Sequence, residues 1–213
     1  MEIEAEEKCK ASPLYWLEKY TETRDDHWRD KGTAPYARFP KMPYFPRLFE
    51  LMMSERRLFI PKSREMMLSW AVIGYAVWLC QWHPATEAIV QSEKLDKSIE
   101  LVSGRENPGY ARTLWERQDE FLKRNHPLSK ASTDMPGDLF AWENGSSLRG
   151  VASGADQFRQ YHPALVILDE AAFLPGAAAS YDTAEAVASQ IIVVSSAGPS
   201  WFGEVCQSIL DGA

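Results

Sequence analysis

Three short segments hold the residue types that could do chemistry together. The first is Lys62-Ser63-Arg64-Glu65-Met66-Met67-Leu68-Ser69, the second Asp169-Glu170, and the third Ser195-Ser196-Ala197-Gly198. A loop that cradles phosphates needs a strand before it, backbone N–H groups in a tight turn, a cation against the phosphates, and a Ser or Thr hydroxyl opening the next helix to hold Mg2+. The stretch IPKSREMMLSW offers these in altered form. Ser69 stands where the magnesium hydroxyl belongs, Leu68 replaces the usual lysine and Met67 the usual glycine. The cations, Lys62 and Arg64, stand at the front of the loop instead. Lysine serves as a mobile point charge and arginine as a bidentate fork. Read alone, the segment is weak evidence, and a basic surface turn between strand and helix is the more ordinary reading.

The second segment adds weight. LVILDEAAF is an apolar run ending in two carboxylates. In nucleotide hydrolysis the first, Asp169, would hold the Mg2+ shell. The second, Glu170, would polarise the attacking water in line with the γ-phosphorus. In the third segment, Ser195 and Ser196 could bring hydroxyls near the γ-phosphate, or simply form a small-residue turn leaving a strand.

The elements needed to position these residues can be read from hydrophobic pattern. Residues 57–60 form a strand stopped by Pro61, 62–69 a turn, and 68–82 a helix. A strand is expected at 87–91, helices at 92–102 and 110–124, and a loop at 126–138. Residues 139–142 and 146–149 read as a hairpin around Asn144-Gly145, a dipeptide that readily takes positive dihedrals. Strands at 165–168 and 191–194 flank an alanine-rich crossover helix at 177–188. Upstream, Ser12 caps a helix over 13–20 with Pro13 in its first turn. Residues 31–46, with four prolines, read as an ordered loop, and a helical pattern starts at Phe49. Apolar strands separated by helices imply an α/β fold with a mostly parallel central sheet flanked by helices. The expected organisation is an N-terminal lead-in over 1–46 and a core over 47–213.

Composition limits the classes. The net charge of -7 argues against a passive nucleic-acid binder with a broad basic surface, though not against a motor that grips locally. The longest apolar stretch, 70–80, is well short of the ~20 residues that span a bilayer, and the acidic N-terminus carries no export pattern. Cys9, Cys80 and Cys206 are far apart and read as free thiols. Most of the eight tryptophans are expected in the core or at packing contacts rather than as a stacking surface.

As a set, the segments resemble the ATPase domain of the large terminase subunit of tailed bacteriophages. Residues 62–69 resemble its deviant Walker A, whose lysine can stand at the start of the loop. Residues 165–172 resemble its Walker B with catalytic glutamate, and 195–198 its coupling motif. The stretches 145–150 and 154–159 are similar to the segment ahead of Walker B, and 13–17 to the opening of many members. The resemblance implies a P-loop NTPase core of the ASCE type that binds ATP and Mg2+. In it, Lys62, Ser63, Arg64, Glu65, Met66, Met67, Leu68, Ser69, Ser195 and Ser196 contact nucleotide. Ser69 and Asp169 serve the metal, Glu170 activates water, and Arg159 reaches a neighbouring subunit's site as a trans finger or forms a plain salt bridge.

Further implied are double-stranded DNA, a small terminase subunit and a portal protein as partners, a homo-oligomeric ring, no membrane, and the cytoplasm of an infected or lysogenic host. Two departures stand out: Glu65 where the family usually has Gln, and Gln160 where a glycine commonly follows the arginine. The sequence given stops at Ala213 without the family's C-terminal nuclease domain, so no DNA cleavage is expected of it. A helicase-like ATPase core and a catalytically degenerate assembly module are the alternatives.

Overall fold

In the computed structural model, the apolar runs ahead of the Asp-Glu and Ser-Ser pairs are interior strands of one sheet. The structure describes residues 2–25, 28–63, 66–130, 132 and 137–212, apart from the side chain of Lys31. Six strands make up this sheet: β3 (Arg57–Lys62), β4 (Glu87–Gln91), β5 (Leu139–Ala141), β6 (Ser147–Val151), β7 (Leu165–Asp169) and β8 (Gln190–Ser196). Their order is β3-β8-β7-β4-β6-β5. The pairs β3–β8, β8–β7, β7–β4 and β4–β6 are parallel, and β5 closes the edge antiparallel to β6. A separate antiparallel ribbon joins β1 (Glu22–Arg24) to β2 (Tyr36–Arg38).

The strands are apolar on both faces because both faces are covered. Leu165, Ile167, Ile192 and Val194 face one core, shared with α2 (Pro13–Tyr20), α4 (Phe45–Ser54), α5 (Leu68–Trp82) and α7 (Tyr110–Glu116). Val166, Leu168, Ile191 and Val193 face the other, shared with α9 (Ala177–Val187) and α10 (Trp201–Leu210). Helix α5 has no charged residue and is buried nearly all round, as expected of a helix inside the core. At Gly74 a Cβ would lie 2.8 Å from Leu17 Cδ2, so the missing side chain is what lets α2 seat on α5. Helices α1 (Glu2–Ala11), α6 (Leu95–Leu101) and α8 (Glu120–Asn125) add Cys9, Leu101 and Leu122 to the first core, and α3 (Trp28–Lys31) is a short turn of helix between β1 and β2.

Several sequence expectations need correction. Pro61 does not stop β3; the strand runs on to Lys62, with Pro61 opposite Ser195. An edge strand tolerates this, because a proline lacking its N–H costs no ladder bond on the open side. The proline-rich 31–46 segment contains β2, and α4 begins at Phe45 with proline in its first turn, not at Phe49. The helix read over 110–124 is two helices, α7 and α8, broken around Arg117 to Asp119. In the β5–β6 connection Gly145 alone takes a positive φ, of 85°. Asn144 instead donates from Nδ2 to the carbonyls of Cys80 and Gln81 and accepts from Ser146 N–H, tying the hairpin to the end of α5.

The N-terminal helices are part of this packing. Trp16 is fully buried, meets Trp82 edge-on at 5.2 Å, and donates from Nε1 to Gln118 Oε1 at 3.1 Å. Gln118 and Gln81 exchange side-chain hydrogen bonds at 3.0 and 3.2 Å. Removing the indole leaves a cavity and withdraws a buried donor, so Trp16→Ala should cost about 3–5 kcal/mol. Urea melts should show this as a lower midpoint with an unchanged slope. An unaltered midpoint would mean that α2 is not integral to the core.

Candidate functional site

The three segments converge where β3, β8 and β7 end side by side. Lys62 is the last residue of β3 and lies in register with Ser196, while Asp169 closes β7 opposite Val194. Glu170 follows with a φ of 52°, a left-handed conformation unusual for a residue with a side chain and typical of functional strain. Its carboxylate is held from two sides. Lys62 Nζ donates to Oε1 at 2.7 Å. Oε2 accepts from Ser196 Oγ at 3.1 Å, Ser196 N–H at 3.3 Å and Ser195 Oγ at 3.4 Å.

Beside this pair, Ser69 Oγ donates to Asp169 Oδ1 at 3.3 Å. Ser69 lies in the first turn of α5, whose N-cap position, Met67, has a φ of 53° and no side-chain cap. Methionine thus adopts the left-handed conformation that a phosphate loop normally assigns to glycine, at a backbone cost of about 1–2 kcal/mol. The helix N-terminus that follows presents uncapped N–H groups and the positive end of its dipole. Leu68 is buried in the core, and Met66 and Met67 pack against it, so these side chains serve the core. Arg64 and Glu65 lie outside the described residues.

The electrostatics of the two neighbouring carboxyls diverge. Burial pushes Asp169 up to about 6, helped by the charge of Glu170 and opposed by Lys62 and Ser69. Burial also acts to raise Glu170, but the hydrogen bond and charge of Lys62, with Ser196, outweigh it and hold Glu170 below its ordinary value. Among the described residues one ammonium therefore stabilises one anion, and no second cation is paired with the other. The donor set, a carboxylate oxygen and a hydroxyl 3.3 Å apart, suits a hard cation that keeps water or phosphate in its other positions. Among the described residues no group of three or more His, Cys, Asp or Glu could hold a metal by itself.

Arg159 is not brought into contact with this cluster among the described residues; it pairs with Asp156 at 3.0 Å on an exposed turn. One residue escaped the sequence reading: Tyr44 OH donates to the Met66 carbonyl at 2.5 Å, fastening the loop from the proline-rich segment. Nothing in the local pattern around Tyr44 signals that contact. All three cysteines are free, and among the described residues no helix is long and apolar enough to cross a membrane.

The raised Asp169 has a stability consequence. Below the ordinary carboxylate range the group is protonated in both folded and unfolded chains and costs nothing. As pH rises, the unfolded chain ionises first, so folding loses stability until the folded group ionises near pH 6. Above that the penalty is complete, on the order of 2–3 kcal/mol. Asp169→Asn should therefore raise Tm near pH 7.5 without metal, with the gain vanishing near pH 4. Equal Tm values for both proteins across that range would contradict the assignment.

No protein-family model and no curated protein matches the sequence. Among solved structures, the fold is similar to the Thermus phage P74-26 large terminase ATPase domain, over 86% of this chain and 73% of that one, with TM-score 0.52 and 18% identity. It is also similar to the HK97 bacteriophage large terminase, over 88% of this chain but 37% of that one, with TM-score 0.60 and 9% identity. At these identities the likeness is one of fold.

Proposed function

We propose that this chain is an ATP hydrolase of the ASCE P-loop type, the motor domain of a terminase-like machine that drives double-stranded DNA into a procapsid. The observation that carries the reading is the placement of Lys62–Glu170 at 2.7 Å beside Ser69–Asp169 at 3.3 Å, from the ends of β3 and β7 and the start of α5. The strand carrying the Ser-Ser pair lies between the strand leading into the loop and the acidic strand, so all three segments meet at one edge.

In this reading the uncapped start of α5 and Lys62 receive the phosphates. Ser69 and Asp169 hold Mg2+, which contributes neutralisation of charge on the phosphate oxygens. Glu170, kept ionised, orients and polarises the attacking water. A γ-phosphate competes with Glu170 for the Lys62 ammonium, and loss of that partner frees Oε1 to accept from water. In the degenerate alternative Glu65, Met67 and Leu68 fill the phosphate cavity; the burial of Leu68 in the core, with Met67 packed against that core, argues against it for those two, and Glu65 lies outside the described residues. The DNA substrate, a ring of copies, the small subunit, the portal and the host cytoplasm come with the resemblance, as does Arg159 as a trans finger.

The test is Mg-ATP binding and turnover by the wild type beside Glu170→Ala and Lys62→Ala. The glutamate variant should lose turnover by about 100-fold or more while still binding nucleotide. The lysine variant should lose both affinity and turnover. Turnover unchanged in both variants would remove the assigned roles.

A further inference from the structure

We infer that Ser196, with Ser195 behind it, is a positioning residue for Glu170, setting turnover through the glutamate rather than by contact with the nucleotide. This rests on the hydrolase reading above and deepens it. A carboxylate on a short side chain can swing about its terminal torsions, and a water-activating carboxylate must present one oxygen in one direction. Lys62 holds Oε1 in the structure, but that contact is the one a phosphate would take over. The contacts to Oε2 belong to the protein's own sheet and do not compete with phosphate for the ammonium. They are Ser196 Oγ at 3.1 Å, Ser196 N–H at 3.3 Å and Ser195 Oγ at 3.4 Å.

The arrangement has a second anchor. Ser195 is fully buried, and its hydroxyl accepts from Ala172 N–H at 3.0 Å while donating to Glu170 Oε2. One hydroxyl therefore fastens both the carboxylate and the backbone two residues beyond it. Ala171 N–H donates to the Val194 carbonyl at 3.2 Å, so the turn after Glu170 is tied to β8 at two successive residues. The left-handed backbone at Glu170 is held in place by these ties. The hydroxyls expected from sequence near a γ-phosphate are thus engaged with the glutamate that would act on the water.

Steady-state hydrolysis of Mg-ATP by wild type, Ser196→Ala and Ser196→Thr tests this, alongside binding of a non-hydrolysable ATP analogue. Ser196→Ala should lower kcat by about 10- to 100-fold, the loss of one hydrogen bond to a charged group. KM and analogue affinity should stay within about twofold of wild type. Threonine restores the hydroxyl and should recover most of kcat, which a purely structural defect would not predict. In single-turnover assays on a Glu170→Ala background, adding Ser196→Ala should cost nothing further. The inference is overturned if analogue affinity falls while kcat holds, if kcat does not change, or if the loss persists in full without Glu170. A wild type lacking turnover would overturn the hydrolase reading along with it, whereas an active wild type with an inert Glu170→Ala and a normal Ser196→Ala would overturn this inference alone.

Discussion

Two adjacent carboxyls, Asp169 and Glu170, share a largely buried corner with a single ammonium, that of Lys62. The ammonium bonds Glu170, while burial dominates at Asp169, so the neighbours settle on opposite sides of their ordinary range. Much of the surrounding structure keeps this unequal arrangement in place. Three parallel strands end together to deliver the groups, and the left-handed backbone at Glu170 follows directly on β7. A corner built this way is costly for a stable fold, a cost that the cation and polyanion of the proposed reading would offset.

Packing explains how so small a corner is held rigid. The sheet is sandwiched between two apolar layers, and α5, which carries Ser69, is buried along nearly its whole length. Tyr44 pins the loop through the Met66 carbonyl, and the buried Trp16–Gln118–Gln81 network ties α2 to the end of α5. Lys62, Ser69 and Asp169 are therefore presented from packed elements, the geometric control that the proposed hydrolysis would require.

Much of this was legible in the sequence where the signal is local. The apolar runs ending in Asp169-Glu170 and Ser195-Ser196 marked strands, and the apolar run from Leu68 marked a helix. What was hidden depends on partners far along the chain. Pro61 sits inside a strand because that strand is an edge, a property set by topology. Met67 takes a left-handed conformation that its side chain does not advertise. Tyr44 acts through a bond to a residue 22 positions away. The engagement of both serines with Glu170 spans some 25 residues and needs the register of β7 and β8.

The most direct measurement is a crystal structure of the chain with Mg2+ and a non-hydrolysable ATP analogue. The account predicts metal density at Ser69 Oγ and Asp169, and Lys62 Nζ moved from Glu170 onto phosphate oxygens. Nucleotide bound elsewhere, with the Lys62–Glu170 pair intact and no metal at Asp169, would contradict it.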